Sequence, residues 1–194
     1  MYNMIQKIAK SLARFIESTG FVKENPEITI EMVVFGCNIL ISTFLGWVIV
    51  LILSFKWEVF LEGIIFIISF SLIRYFAGGF HAKHGEVCTS IYIGIFIATT
   101  FLSKNMESFW VLELSAGCMF IPFCYFVPVG TTKNEVPLLK ERAKKRKSIT
   151  SVILLFLIFS LLPAGSTYKK YGMLAILWCE LMVIMGVLQK AVRQ

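Results

Sequence analysis

Long apolar runs, separated by short polar segments, dominate the chain. Six of them predict membrane-spanning helices, at approximately residues 32–54, 59–80, 87–102, 110–129, 148–163 and 171–189. A helix needs about 20 mainly apolar residues to cross roughly 30 Å of hydrocarbon, and the third and fifth runs are close to the lower limit. The pattern therefore predicts an all-α integral membrane protein, organised as a single membrane domain over residues 1–194.

The N-terminal segment, residues 1–25, has a different pattern. Apolar residues recur there every three or four positions, and charged residues occupy the other side of the helix. This spacing is typical of an amphipathic helix that lies in the membrane interface rather than crossing the bilayer. Asn25-Pro26 is expected to end the helix before the first span.

Charge supports this interpretation and gives an orientation. The chain is 57% hydrophobic and only 16% charged, whereas a soluble domain would be roughly 25% charged. With six spans, 15 of the 19 Lys and Arg residues fall on the side that carries both termini, the loop 74–88 and the loop 130–147. The positive-inside rule places that side in the cytoplasm of a cell-membrane protein. Because the bases lie in loops between spans, the net charge of +7 does not indicate a nucleic-acid partner.

The loop 74–88 carries the candidate chemistry. His81 and Cys88 are a possible base and nucleophile, since a thiol acts in acyl transfer as a thiolate. Gly78 and Gly79 allow a sharp turn, and a position in the first turn of a helix would stabilise a Cys88 thiolate. The simpler alternative is an interfacial histidine with an incidental cysteine. Two others stay open: His84 as the base at i, i+4 from Cys88, and a zinc site made by the two histidines and Cys88.

The run Arg74-x3-Gly78-Gly79-x-His81-Ala82-x5-Cys88 strongly resembles the AgrB (accessory gene regulator B) family of membrane endopeptidases. The resemblance extends along nearly the whole chain. It implies a multi-pass cysteine peptidase, with His81 and Cys88 catalytic and no cofactor or metal. Arg74, Gly78 and Gly79 match motif positions and are candidates for oxyanion stabilisation or positioning.

The resemblance also implies the biological reaction and its partners. The substrate would be an AgrD-like precursor peptide with an acidic C-terminal tail. Removal of the tail through an acyl-thioester, followed by closure of a thiolactone ring, would produce a quorum-sensing pheromone. The lipid bilayer and a second copy of the chain, in a homodimer, are the other expected partners.

The basic loop 130–147 allows two interpretations. It orients the protein in the membrane, and it can also be a docking surface for an acidic peptide or for anionic lipid. The candidate docking residues are Lys133, Lys140, Arg142, Lys144, Lys145, Arg146 and Lys147.

A competing function is transport of a small peptide without proteolysis. In that case Glu180 and His81 would line the path. An ionised carboxylate such as Glu180 in mid-membrane is costly unless it is paired or faces water. Glu180 can equally be protonated, bond to a neighbouring helix or face the active-site cavity. No ATP-binding motif or inverted repeat supports transport. A scaffold or receptor partner, a third class, would tolerate loss of Cys88.

Overall fold

The protein is all-helical throughout the part of the chain that the computed structural model describes. This part comprises residues 2–20, 29–78, 85–106, 109–129, 138–163 and 165–192. The seven helices in these ranges are α1 (Tyr2–Ser18), α2 (Ile30–Lys56), α3 (Phe60–Ala77), α4 (Gly85–Asn105), α5 (Phe109–Phe126), α6 (Leu138–Ser160) and α7 (Thr167–Val192).

Four helices are long and apolar enough to cross a membrane: α2, α3, α4 and α7. Helix α5 is apolar but shorter, with an apolar stretch from Trp110 to Phe126. Many large apolar side chains lie on the outside, among them Phe44, Phe55 and Leu161 at 65%, 77% and 86% exposure. Exposed apolar area on this scale is what a lipid-facing surface requires. The protein is therefore a membrane protein.

Three helices extend well beyond the predicted segments, and one of them is α7, which begins at Thr167 and ends at Val192 instead of covering 171–189. Helix α4 begins at Gly85 and ends at Asn105, so it is longer than the predicted span 87–102. The added polar end is stabilised by the Asn105 amide, which donates to the carbonyl oxygen of Phe101 at 2.8 Å. Helix α6 begins at Leu138, so residues 138–147 of the predicted basic loop are helical. This segment consists of Leu, Lys, Glu, Arg and Ala, which all favour helix.

Helix α3 ends at Ala77, three residues before the predicted end of its span, and α4 starts at Gly85, two residues before the predicted start of the next span. The described chain also divides into two compact units. Unit 1 comprises Met1–Ile49 and Ala82–Ile93, and unit 2 comprises Val50–His81 and Gly94–Gln194. Two of the three boundaries between the units fall inside the continuous apolar helices α2 and α4, where the apolar pattern does not mark them.

Helix α1 in unit 1 is strongly amphipathic. Its small residues Ala9 and Ala13 are fully buried, whereas Ile8, Leu12 and Phe15 are exposed at 45%, 43% and 68%. The large apolar side chains of this helix therefore face outwards.

Aromatic packing forms the core of unit 2. Phe66 lies 5.5 Å from Phe70 and 5.3 Å from Phe96 between ring centroids, and Phe96 lies 6.3 Å from Tyr171. All four side chains are buried. Helix α7 packs against α3, α5 and α6, and so lies at the centre of the unit.

The first turn of α7 contacts four other helices through polar side chains. The Thr167 hydroxyl donates to Glu62 of α3 at 2.7 Å. Lys169 Nζ lies 3.1 Å from Glu113 Oε1 of α5 and donates to the Ser160 carbonyl of α6 at 3.2 Å. Lys170 donates to the carbonyls of Ser103 and Met106, at 3.1 and 2.8 Å, where α4 ends. Thr167, Lys169 and Lys170 thus join the helices of unit 2 at one end.

Two glycines permit close helix contacts in unit 2. A Cβ on Gly172 of α7 would overlap the Phe159 ring of α6, and one on Gly63 of α3 would overlap the Ser54 hydroxyl of α2. A larger residue at either position would therefore require the Phe159 or the Ser54 side chain to move.

Candidate active site

Cys88 lies in the first turn of α4, three residues after its start at Gly85, and is partly exposed. The first backbone N–H groups of a helix have no partner within the helix, and the helix dipole favours negative charge at this end. Cys88 thus occupies the position predicted for a catalytic cysteine, in the first turn of a helix.

The turn that carries Cys88 is fixed against α2 within unit 1. The hydroxyl of the adjacent Thr89 donates to the Ser42 carbonyl of α2 at 3.0 Å, and both residues are buried. One turn further along, the Tyr92 ring packs on Gly46, so closely that a Cβ there would lie 3.0 Å from Tyr92 Cδ1. Ser42 and Gly46 are one turn apart on α2, so two contacts in register hold the two helices together. The cysteine is therefore presented on a rigid support.

The other predicted members of the loop, Gly79, His81 and His84, lie outside the described residues. Glu86, which the sequence analysis did not single out, precedes Cys88 by two positions. Its Oε1 atom is buried and has no hydrogen-bond partner in the described ranges. Residues at i and i+2 of a helix lie on different faces, so Glu86 and Cys88 do not share a face of α4. The sequence signal that could have identified Glu86 is a carboxylate in the first turn of the helix that follows the histidine-bearing loop.

Arg74 lies in the last turn of α3, in unit 2. Its guanidinium carbon lies 5.9 Å from the centroid of the Phe70 ring, within the range of a cation–π contact. Its carbonyl oxygen accepts the backbone N–H of Gly78 at 3.0 Å. The structure thus brings Arg74 and Gly78 together, while Cys88 belongs to unit 1.

Gly78 ends α3 in a backbone conformation that demands glycine. Its φ is +70° and its ψ is −132°, a combination that residues with a Cβ rarely adopt. Gly78 also forms an isolated parallel bridge with Val129, whose N–H donates to the Ala77 carbonyl at 3.0 Å. A Cβ on Gly78 would collide with the Val129 carbonyl oxygen. Close approach of two backbones and a positive φ thus both require glycine here.

The candidate docking residues fall mainly on the first half of α6. Arg142, Lys144, Arg146 and Lys147 are exposed, and Lys145 is half-buried. Lys133 lies outside the described residues, and so does the side chain of Lys140. The apolar half of α6 begins at the buried Ser148. Residues 142–147 of this helix thus form a dense group of cations, which we call the basic segment. It lies directly before the apolar half of the helix.

Glu180 is fully buried in α7, and both of its carboxylate oxygens lack a hydrogen-bond partner in the described ranges. The hydrogen bond to a neighbouring helix, one of the alternatives for Glu180, is thus not seen there.

The five cysteines are not in disulfides. No three His, Cys, Asp or Glu side chains among the described residues are placed to hold a metal ion.

Comparison with known proteins gives one consistent result. The family described as "Accessory gene regulator B" matches residues 3–185. An AgrB-like protein 2 of Clostridium perfringens is 29% identical over 185 residues, which cover 89% of this chain and 83% of the relative. The accessory gene regulator protein B of a bovine Staphylococcus aureus strain is 30% identical over 145 residues, covering 73% and 75%. No solved structure matches.

Proposed function

Because the chain belongs to the accessory gene regulator B family, we propose that it is a membrane cysteine peptidase that matures a quorum-sensing pheromone. The observation that carries the proposal is the position of Cys88, in the first turn of α4 and fixed through Thr89 to α2. A nucleophile needs this combination of partial exposure, a favourable field and rigid support.

The first chemical step is transfer of an acyl group from nitrogen to sulfur. His81 removes the proton from the Cys88 thiol, and the thiolate attacks the carbonyl carbon at the junction with the C-terminal tail. A tetrahedral oxyanion forms and collapses, the C–N bond breaks, and His81 returns the proton to the leaving amine. The products are an acyl-thioester on Cys88 and the released tail.

The second step closes the ring. A cysteine thiol of the substrate attacks the thioester carbonyl, the bond to Cys88 breaks, and the Cys88 thiolate is protonated again. Exchange between two thioesters changes the free energy little, so this step needs no ATP. Formation of a thioester from an amide is uphill, so release of the tail or binding energy must draw the first step forward. Water must be excluded, because it would hydrolyse the thioester to a linear product.

Several groups are available to stabilise the oxyanion and to bind the substrate. Backbone N–H groups at the start of α4 or near Gly79 can serve as donors, and Arg74 can supply positive charge. The basic segment would hold the acidic tail by charge attraction. This attraction would weaken as salt rises, because surface charges are screened over about 10 Å at 0.1 M.

The membrane arrangement completes the proposal. Helices α2 to α7 provide six spans, with only the apolar half of α6 in the membrane, and α1 lies in the interface. Exposed Ile8, Leu12 and Phe15 support the interfacial position. Both termini, the segment around His81 and the basic segment face the cytoplasm, and the functional unit is a homodimer.

Mass spectrometry of a co-expressed candidate precursor tests this function. The probe is a small peptide with an internal cysteine and an acidic C-terminal tail. We expect the native protein to remove the tail and to leave a core lighter by one water than the linear product. Cys88→Ala should leave the precursor intact, whereas Cys118→Ala, which changes an exposed cysteine of α5, should process it normally.

Two further variants identify the base. His81→Ala should abolish processing and His84→Ala should retain it, since only the first matches the family motif. Normal processing by Cys88→Ala would exclude the cysteine mechanism. An intact precursor exported by both proteins would instead favour the transporter.

A further inference from the structure

The bridge between Gly78 and Val129 joins two segments that the proposed function uses separately. Gly78 is the last described residue before residues 79–84, which include His81. Val129 is the last before residues 130–137, which lead into α6 and the basic segment. We propose that Gly78 is a positioning residue, because its bridge to Val129 fixes the point where the chain leaves α3 towards His81 relative to the point where it leaves α5 towards the basic segment. This inference rests on the proposed function.

The bridge is anchored on both sides in the core of unit 2. Ala77 is 1% exposed, and its carbonyl accepts the Val129 N–H. On the other side, Val127 is 2% exposed, and its N–H donates to the carbonyl of the fully buried Phe123. The two backbones therefore meet at a rigid point.

The directions of the helices place the basic segment at the same end of unit 2. Thr167 contacts Glu62 and Lys169 contacts Glu113, so α3, α5 and α7 begin at one end and run in the same direction. Helix α6 finishes at that end, because Lys169 also reaches Ser160. The start of α6 consequently lies at the opposite end, where α3 and α5 finish and the bridge forms.

The geometry also favours a positioning role for Gly78 over the alternative prediction, stabilisation of the oxyanion. Its backbone N–H already donates to the carbonyl of Arg74 and is not available for an oxyanion. A substrate held by its tail on the basic segment reacts quickly only if its scissile bond reaches the catalytic base, His81, at high effective concentration. The bridge would provide this by fixing where both segments leave the helices.

Substitutions on both sides of the bridge test the inference. Gly78→Ala places a Cβ against the Val129 carbonyl, and Val129→Pro removes the N–H that bonds to Ala77. We expect each to lower kcat/KM for the precursor about 100-fold, the order of loss caused by a misplacement of about 1 Å. We expect the two effects not to multiply in the double variant, since both break one contact.

Matched controls separate the bridge from general damage. Val129→Ala keeps the N–H and should retain activity within about twofold. Gly165→Ala introduces a Cβ at a similar φ of +91°, but nothing lies within 4 Å of that position, so it should also remain active. In a Cys88→Ala background, Gly78→Ala and Val129→Pro should bind the isolated acidic tail of the precursor with unchanged Kd. This result would show that docking is intact and only its coupling to cleavage is lost.

The outcomes distinguish this inference from the proposed function. If Val129→Pro cleaves as well as Val129→Ala, the bridge has no positioning role and the inference is overturned. Loss of tail binding in both bridge variants would also overturn it, since the damage would then extend to docking. If the native protein does not cleave the precursor, or Cys88→Ala does, the proposed function itself fails.

Discussion

The pair formed by Lys169 and Glu113 gives a quantitative test of the packing in unit 2. The Lys169 side chain is 6% exposed and that of Glu113 21%, with Nζ and Oε1 3.1 Å apart. Exposed pairs contribute about 0–1 kcal/mol, whereas loss of one partner of a buried pair costs about 3–5 kcal/mol. This pair lies between the two cases, and its members are not equivalent. Glu113→Leu removes the counter-ion of the more deeply buried ammonium, which keeps its neutral acceptor at Ser160, and should cost about 3 kcal/mol. Lys169→Met leaves a carboxylate that can reach water and should cost about 2 kcal/mol.

The assay is reversible unfolding in mixed detergent micelles, followed by tryptophan fluorescence and circular dichroism. The double variant Glu113→Leu/Lys169→Met should be more stable than either single variant, because apolar replacement of a whole buried pair is often neutral. Lys104→Met, which alters an exposed lysine at the end of α4, should change stability by less than about 0.5 kcal/mol. Additive losses in the double variant would refute the coupling between the two side chains.

Two further changes test the interior of unit 2 in the same assay. Gly172→Ala should destabilise the protein by about 1–3 kcal/mol through overlap with Phe159, and the loss should shrink in a Phe159→Leu background. An equal loss in both backgrounds would place the strain elsewhere. Glu180→Leu should raise stability by about 1–3 kcal/mol, since it removes a buried carboxyl without a hydrogen-bond partner in the described ranges. A marked loss of stability would mean that the Glu180 carboxyl makes a stabilising hydrogen bond, and would contradict this reasoning.

Much of the fold could be predicted, because membrane helices leave a clear signal in sequence. The helical class and the approximate positions of α2, α3 and α7 follow from apolar runs long enough to span a bilayer. The ends of α4 and α6 do not, because a helix can continue past the apolar run when polar residues have partners or favour helix. Asn105 bonds to the backbone of its own helix, and the cations of α6 are good helix formers. Hydrophobicity reports where lipid lies rather than where a helix stops.

The parts of the candidate site that depend on neighbouring residues in the sequence could be predicted, and those that depend on contacts between distant residues could not. Cys88 could be placed near a helix start, because Gly85 and the apolar residues that follow mark that boundary. Its support on Ser42 could not, since this contact joins residues 47 positions apart. The requirement for glycine at Gly78 likewise depends on Val129, which no local rule relates to it. Lys169, which lies between the predicted fifth and sixth spans, is in fact buried and paired.

The contacts of the first turn of α7 have a consequence for the synthesis of the protein. Helix α7 follows all four of its polar partners in the chain, and its Thr167 is made 105 residues after Glu62. At about 5–20 residues per second, the ribosome needs roughly 5–20 seconds to cover that interval. Glu113 is made about halfway through this interval, so both carboxylates exist before Thr167 and Lys169 do. The rate of translation, and not the strength of helix packing, therefore sets how long Glu62 and Glu113 remain without Thr167 and Lys169 as partners.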